Sequence, residues 1–587
     1  MTPFQHAISL LRLCLQPRRR LLLATVTTVI LFNTLELLFP KLLQLYIDSI
    51  AGNPLNIWGI SLEFLQSNKA RIFLIPVALL TIAGARWAVT YFRAVYETHL
   101  GQGALFDLRS RIFNTMQNLS FAYHDASHSG TLISNVVEDV NYANMFFRRG
   151  FLLLIESIAY MTISYIIIFS ICPRAGLALM LLMILGIIAI FIFFKHGHKI
   201  YARTKQLYAK TVQIFTENME GHLIVKGFGT SKTQQQKYNQ RVDDLHNAQI
   251  KEVIYSSCIT QALAFIMLLG IPLVIGVALY EARAGRWEFT SGRLFLLFYL
   301  QTGMRMRAWG LGRAIDLCMR FTITAERLRI LLESDAYLDD KGTNSIPETN
   351  LHLELAHVSF AYGNNGHSLH DLSLSIEPGK TIGIVGATGS GKSTLALLLC
   401  RFYDPTAGKV LLNGCNIRDF PIKNLRNQFS LVFQDTFLFS ASIRDNIAYG
   451  NAGSCFEEIV HAATLAEIHD HIMTMPQGYD TIIGERGVTL SGGQRQRISI
   501  ARAILRKPRF LILDGCTSAL DTKTEKAIQE SLTALRKTTT CVVIAHRFST
   551  IEHADIVHVM QNGHIVESGT PTELNIPETI FSKVMQS

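Results

Sequence analysis

The sequence predicts an all-α polytopic membrane domain of six transmembrane helices with long cytosolic extensions, followed by an α/β P-loop domain. Three observations predict this. Hydrophobic residues make up 49% of the chain and concentrate before Leu332. Several stretches in that part approach the roughly 20 apolar residues that span a bilayer. Beyond residue 350, short β-rich runs alternate with helical ones, as in α/β nucleotide-binding domains. At 587 residues the chain is also too long for one core.

The apolar stretches predict an integral, multi-pass membrane protein. They occupy residues 21–47, 72–95, 151–171, 175–194, 254–280 and 292–318. The first follows Arg18, Arg19 and Arg20 but lacks the small-residue cleavage pattern of a signal peptide. An even number of spans returns both termini to one side, and the positive-inside rule makes that side cytosolic. In a bacterium the membrane would be the inner one. The basic residues that follow the fourth span are Lys195, Lys199, Arg203, Lys205 and Lys210.

Charge and cysteine usage exclude some classes of partner. The net charge of +10 is carried beside apolar spans, where the membrane explains it, so lipid is expected as a partner and nucleic acid is not. The nine cysteines are scattered singly, which indicates neither a disulfide framework nor a zinc site.

Polar, helix-favouring stretches separate spans two and three, and again spans four and five. They predict that the membrane helices continue into the cytosol, either as levers that carry force or as simple spacers. The polar, Gly- and Pro-containing segment after them predicts a linker. We therefore expect a membrane domain over residues 1–330, a linker over 331–350 and a soluble domain over 351–587.

A phosphate-binding loop follows the strand predicted at residues 381–385. Its glycines let backbone N–H groups close around phosphates, and the helix that begins at Lys392 adds positive potential. Lys392 would contact the β- and γ-phosphates, and the Ser393 hydroxyl would ligate Mg²⁺. The motif alone indicates a P-loop NTPase that binds ATP or another nucleotide with Mg²⁺. The predicted nucleotide-binding residues here are Gly386, Ala387, Thr388, Gly389, Ser390, Gly391, Lys392, Ser393 and Thr394.

An acidic residue follows another buried strand, which is predicted at residues 510–513. Asp514 stands at the exposed end of that strand, where it can hold the water shell of a nucleotide-bound Mg²⁺. The residue after it is Gly515, which carries no side chain for acid–base chemistry.

Further motifs narrow the soluble domain to one family. The sequence Leu490, Ser491, Gly492, Gly493, Gln494 follows the P-loop and precedes Asp514. With that order of motifs, residues 350 to 587 resemble the ATP-binding cassette (ABC) ATPases, an α/β P-loop NTPase cassette. The segments 108–125, 217–228 and 325–333 resemble exporter-type membrane domains. Together they indicate a half-transporter, with one membrane domain fused to one cassette.

The resemblance implies roles for several residues. Tyr362 would stack on adenine rather than merely end a strand. Gln434 would sense Mg²⁺ and contact the coupling helices, and His546 would bind the γ-phosphate; the ordinary alternatives are a loop glutamine and a structural histidine. Glu485 would touch the coupling helices. The signature LSGGQ would act on ATP held by the opposite subunit, and the intersubunit D-loop would comprise Ser518, Ala519, Leu520 and Asp521.

Gly515 stands where the family normally carries its catalytic glutamate. The intact P-loop, Asp514 and His546 predict that ATP binding survives while hydrolysis at this site is very slow. The intact signature then favours a heterodimer in which this chain completes the active site of a second half-transporter. A slow homodimer in which Asp521 serves as base and a mainly regulatory ATP-clamp subunit are the alternatives. The six spans exclude a soluble ABC protein.

Charged residues interrupt several of the predicted spans, and four of them are candidates for a substrate cavity. Such charges are costly in lipid and usually face a cavity or a partner. Arg305 and Arg307 could contact an anionic substrate, pair with Glu36, or lie in the cytosolic continuation of the helix. The substrate itself remains open among amphipathic lipids, drugs and peptides. The candidate cavity residues are Glu36, Arg86, Arg305 and Arg307.

Overall fold

The computed structural model describes residues 3–51, 56–57, 60–61, 68–126, 129–348, 350–363, 367–484, 490–515, 528, 530, 539–545, 547–576 and 579–586. The chain forms two compact units. The first comprises Met1–Asn118 and Ser127–Asp335, and the second comprises Leu119–Ala126 and Ala336–Ser587. The short segment 119–126 therefore belongs with the second unit although the chain on either side of it belongs to the first.

The first unit is helical. Its helices are α1 (Pro3–Leu15), α2 (Arg19–Ile50), α3 (Asn68–Asn118), α5 (Ser129–Met145), α6 (Phe151–Ile171), α7 (Pro173–Glu220), α8 (His222–Gly227), α9 (Ser231–Arg283) and α10 (Ser291–Leu332), with a two-residue hairpin β1 (Asn56–Ile57) and β2 (Ile60–Ser61). Helix α4 (Phe121–Ala126) follows α3 and belongs to the second unit. Helices α3, α7 and α9 each extend an apolar span into the polar stretches, as expected. The helical structure is interrupted between α3 and α4 and between α7, α8 and α9.

Five helical stretches among the described residues are long and apolar enough to cross a membrane. They are Phe4–Ile50, Leu74–Asn118, Val136–Ile171, Pro173–Glu220 and Ser231–Arg283. The sixth expected span, residues 292–318, lies within α10 but is not among these five. Its helix carries Arg305, Arg307, Arg313 and Asp316, which make it less apolar than the others. A sixth membrane crossing therefore remains a prediction.

The second unit contains two sheets and a set of short helices. A six-stranded sheet has the order β12-β11-β5-β10-β9-β8, in which all neighbours are parallel except β11 and β12. A four-stranded antiparallel sheet has the order β4-β3-β6-β7. The strands are β3 (Leu353–Ala361), β4 (His367–Ile376), β5 (Thr381–Gly386), β6 (Ala407–Leu412), β7 (Cys415–Asn416), β8 (Phe429–Val432), β9 (Phe510–Asp514), β10 (Thr540–Ile544), β11 (Ile556–Gln561) and β12 (His564–Gly569).

The helices of the second unit after α4 are mostly short. They are α11 (Lys392–Leu399), α12 (Ile422–Asn427), α13 (Ile443–Ala448), α14 (Phe456–Leu465), α15 (His469–Met473), α16 (Gly492–Leu505), α17 (Phe548–Ile551), α18 (Pro571–Leu574) and α19 (Ile580–Gln586). Every residue of β5, β9 and β10 is buried, as expected for parallel strands covered on both faces. Strands β5, β10, β9 and β8 are parallel, so their carboxyl ends lie at one edge of the sheet. The loops that follow β5, β8 and β9 therefore lie at that same edge.

Candidate functional site

The loop after β5 has the backbone of a phosphate-binding cradle. Gly386, Gly389 and Gly391 all have positive φ, at 157°, 83° and 102°. A Cβ on Gly386 would lie 2.2 Å from the carbonyl oxygen of Met560, and one on Gly391 would lie 2.6 Å from Leu369. Any larger residue at these two positions would fill space that the loop needs to turn into α11. The loop thus places backbone N–H groups and a helix N-terminus at the carboxyl edge of the sheet.

Lys392 lies inside this cradle and is 6% exposed. Its ammonium donates to the carbonyl oxygens of Gly386 and Ala387, both at 2.9 Å, and approaches the Ser390 hydroxyl at 3.5 Å. Burial lowers the pKa of Lys392, and the nearby Asp514 carboxylate opposes that shift. A buried cation enclosed by a glycine loop, with a carboxylate beside it, suits the triphosphate of a nucleotide and its Mg²⁺. Ser393, next in the chain, is exposed and available as the Mg²⁺ ligand.

Asp514 ends β9 and is 7% exposed, so its carboxylate is held at the edge of the sheet. Gly515 follows with φ +57°, and its N–H donates to the carbonyl oxygen of Ile544 at 3.0 Å. A Cβ built on Gly515 would lie 3.4 Å from Cγ and 3.5 Å from Cδ of Gln434, which are ordinary contacts. The structure therefore brings Gln434, Asp514 and Gly515 together, and it leaves room for a Cβ where the glycine stands.

Tyr362 lies beside the P-loop helix. Its hydroxyl donates to the Thr394 hydroxyl at 3.1 Å, and its ring packs edge-on against Phe360 at 4.8 Å and Tyr403 at 5.3 Å. Ser368 also lies 3.1 Å from the Thr394 hydroxyl. These contacts place Tyr362 beside the first turn of the helix that follows the phosphate-binding loop.

The signature sequence begins a helix. The Ser491 hydroxyl caps α16 by accepting from the N–H of Gln494 at 3.3 Å, and the Gln494 side chain accepts from the N–H of Ser491 at 2.8 Å. Gly492 and Gly493 form the first turn of α16, while Leu490 is 6% exposed and anchors the segment in the core. The exposed Ser491 thus stands at a helix N-terminus, where backbone N–H groups and the helix dipole favour an anion.

Several predicted site residues lie outside the described residues: Glu485, Ser518, Ala519, Leu520, Asp521 and His546. Strand β10, which precedes His546, lies between β5 and β9 in the sheet.

The charged residues of the helical unit form a network rather than isolated sites. Arg307 donates to Glu36 at 2.6 Å and also to Glu156. Arg93 donates to Glu156 at 2.5 Å, and Arg86 lies 3.5 Å from Glu36. These contacts join α2, α3, α6 and α10. Arg305 faces elsewhere, with its guanidinium 3.6 Å from the sulfur of Met306.

Two members of this network, Glu156 and Arg93, were not among the predicted site residues. Glu156 is 4% exposed and bonds two arginines, so it is the most enclosed carboxylate of the group. A signal was available in the sequence, because Glu156 interrupts an otherwise apolar run at residues 151–171. A charged residue in such a run needs a partner.

The chain matches known proteins over nearly its whole length. The family model described as ABC transporter transmembrane region matches residues 22–307, and the model described as ABC transporter matches residues 369–518. Two proteins named "Putative multidrug export ATP-binding/permease protein", from Staphylococcus aureus strains NCTC 8325 and COL, are each 33% identical over 561 residues, covering 95% of this chain and 96% of the relative.

A solved structure is similar throughout. It is described as a bacterial Atm1-family ABC exporter with ATP bound, and it is 26% identical to this chain with a TM-score of 0.84. The similarity covers 97% of this chain and 99% of that one.

Proposed function

The chain belongs to the ABC transporter family and has the exporter half-transporter layout, and from this premise we propose that it is the ATP-holding subunit of an asymmetric exporter. The family couples ATP hydrolysis to transport and acts as dimers. In the proposed pump this chain binds ATP but hydrolyses it poorly at its own site. Its signature completes the active site of a second, different half-transporter.

Gly515 is the observation that carries the proposal. A glycine cannot orient or deprotonate the attacking water, and general-base assistance contributes typically 10²- to 10⁴-fold. The rest of the site supports ATP binding, because Lys392 is enclosed by the glycine loop near Asp514, and Tyr362 contacts Thr394 in the helix that follows the loop. Mg²⁺ would be held by Ser393, Gln434 and, through water, Asp514, and when bound it would neutralise charge on the phosphates.

Two features support assembly with a second half-transporter. The cassette carries a groove of about 430 Å³ lined by aromatic and basic side chains, among them Phe433, Phe437, Phe439, Tyr449 and Arg502. Helix α8 has strongly exposed apolar side chains, Leu223 at 74% and Ile224 at 65%. Such surfaces are costly in water.

The proposed substrate is amphipathic. A cavity of about 420 Å³ lies among α6, α7, α9 and α10 of the helical unit and has an almost wholly apolar lining that includes Ile158, Met161, Leu263 and Leu311. Two of these helices, α6 and α10, also carry the ion pair between Glu156 and Arg307. An apolar cavity and paired charges on the same helices suit a molecule with an apolar body and a polar group, such as a lipid, drug or peptide.

ATPase measurements on reconstituted protein test the proposal. This chain alone should turn over ATP slowly, and addition of a half-transporter with glutamate at the position equivalent to Gly515 should produce amphiphile-stimulated hydrolysis. Ser491→Ala in this chain should then abolish hydrolysis by the mixture. Robust turnover by this chain alone would instead support the homodimer, with another acid as base.

A further inference from the structure

Helix α4 connects the long helices α3 and α5 of the helical unit, yet it packs within the cassette unit. Just before it, the N–H of Ser120 donates to the carbonyl oxygen of Ala336 at 2.8 Å. The ring of Phe121 packs against Phe402 at 5.5 Å and edge-on against Tyr403 at 5.9 Å. A main-chain hydrogen bond just before helix α4 and two aromatic contacts of Phe121 thus join this segment to the cassette.

A side-chain hydrogen bond also joins this helix to the cassette. The hydroxyl of Tyr403 donates to the carboxylate of Asp125. Tyr403 is 6% exposed, so its hydroxyl would pay a desolvation cost without such an acceptor. Burial raises the pKa of Tyr403, and the adjacent Asp125 carboxylate raises it further, so the phenol stays protonated and donates at neutral pH.

The ring of Tyr403 continues the contact towards the nucleotide site. It stands edge-on to Tyr362, with ring centroids 5.3 Å apart and planes at 88°. It also packs on Phe360 at 5.2 Å. Tyr362 in turn donates to Thr394 at 3.1 Å, in the first turn of the P-loop helix. Four contacting residues therefore connect helix α4 to the triphosphate loop.

We propose that Asp125 is a positioning residue for the adenine wall of this cassette. By accepting from the Tyr403 hydroxyl it fixes the Tyr403 ring, and that ring sets the plane of Tyr362. Movement of helix α4 away from the cassette lowers the affinity for the adenine part of ATP, and bound ATP holds α4 in place by the same coupling, because linkage is reciprocal. This inference rests on the proposed contact of Tyr362 with adenine.

The test separates adenine from phosphate recognition. Binding of Mg²⁺–ATP and of inorganic tripolyphosphate to the full-length chain in lipid nanodiscs would be measured by titration calorimetry. Asp125→Ala and Tyr403→Phe should each weaken ATP binding about three- to tenfold, the usual worth of one hydrogen bond. Both should leave tripolyphosphate binding within about twofold, because the P-loop is untouched.

Further variants control for folding and for additivity. The double variant should lose no more than either single variant, because both remove the same bond. Asp125→Asn keeps an acceptor oxygen and should recover part of the affinity. Tyr123→Phe removes a phenol hydroxyl from the same helix and should behave as the native chain.

A second readout follows the coupling in the other direction. Hydrogen exchange of residues 119–126 should slow when Mg²⁺–ATP binds to the native chain, and Tyr403→Phe should abolish that protection. Tyr362→Ala separates the positioning role of Asp125 from the adenine contact of Tyr362. If it weakens ATP binding while Asp125→Ala and Tyr403→Phe do not, the positioning role is wrong. If it leaves ATP binding unchanged, the adenine contact in the proposed function is wrong. Equal loss of ATP and tripolyphosphate binding would also overturn the positioning role.

Discussion

Replacing Gly515 by glutamate should restore hydrolysis at this chain's own nucleotide site at a small cost in stability. The φ of +57° places residue 515 in the left-handed region, where a side-chain-bearing L-residue costs roughly 1–2 kcal/mol. A Cβ at this position would make an ordinary contact, 3.4 Å from Cγ of Gln434. The expected gain is about 10²- to 10⁴-fold in turnover, or about 3–5 kcal/mol of activation free energy.

The assay is ATP hydrolysis by the purified full-length chain, with thermal unfolding measured in parallel. Assayed alone, the chain can complete this site only as a homodimer, in which each copy would supply Ser491 to the site of the other. Gly515→Gln is the matched control, since it adds the same bulk and the same strain without a base. Gly515→Ala isolates the strain, and Gly515→Asn should destabilise less than alanine because asparagine tolerates left-handed backbone.

The glutamate variant should hydrolyse ATP at least about 100-fold faster than the glutamine variant, with similar unfolding temperatures. Equal rates for the two variants would refute the assignment of position 515 as the missing base. Native turnover as fast as that of Gly515→Glu would refute the view that this site is slow.

Three further outcomes are expected. Burial lowers the pKa of His558 to about 4. An unfolded histidine titrates near 6.5, so the unfolded chain binds more protons than the folded chain between these two pH values. The free energy of unfolding therefore falls as the pH falls, by up to about 2 kcal/mol between pH 8 and pH 5. His558→Gln should flatten this pH dependence of the unfolding temperature, and an unchanged slope would contradict it. Glu156→Gln should destabilise the chain by about 3 kcal/mol, since it removes the buried carboxylate that Arg93 and Arg307 share. An unfolding temperature equal to the native one would argue against the network. Arg305→Ala should leave stability within about 0.5 kcal/mol but reduce stimulation of the ATPase by anionic amphiphiles; unchanged stimulation would remove Arg305 from the substrate cavity.

The nucleotide site was largely predictable because its chemistry constrains local sequence. A phosphate cradle needs glycines at fixed spacing between a strand and a helix, and β5, the loop and α11 follow that pattern. The same holds for the signature, where Ser491 and Gln494 cap a helix from three residues apart. Contacts of this kind lie within a few residues and leave a pattern in the sequence.

Other features could not be predicted, because they join residues that are distant in the chain. Glu156 and Arg307 are separated by 151 positions, and Asp125 and Tyr403 by 278. Spacing carries no information about such pairs. The backbone at Gly515 is a different case, since glycine adopts positive and negative φ about equally well and its identity alone does not decide which is used.

The hydrogen bonds of Lys392 have a consequence for how the cassette acquires nucleotide. Its ammonium has the carbonyl oxygens of Gly386 and Ala387 as acceptors, both at 2.9 Å. A phosphate group that binds Lys392 would compete with these two backbone acceptors, so the free energy of binding would be the difference between two hydrogen-bonded arrangements of one buried cation. Small changes in the positions of these two carbonyl groups would therefore change the affinity for nucleotide.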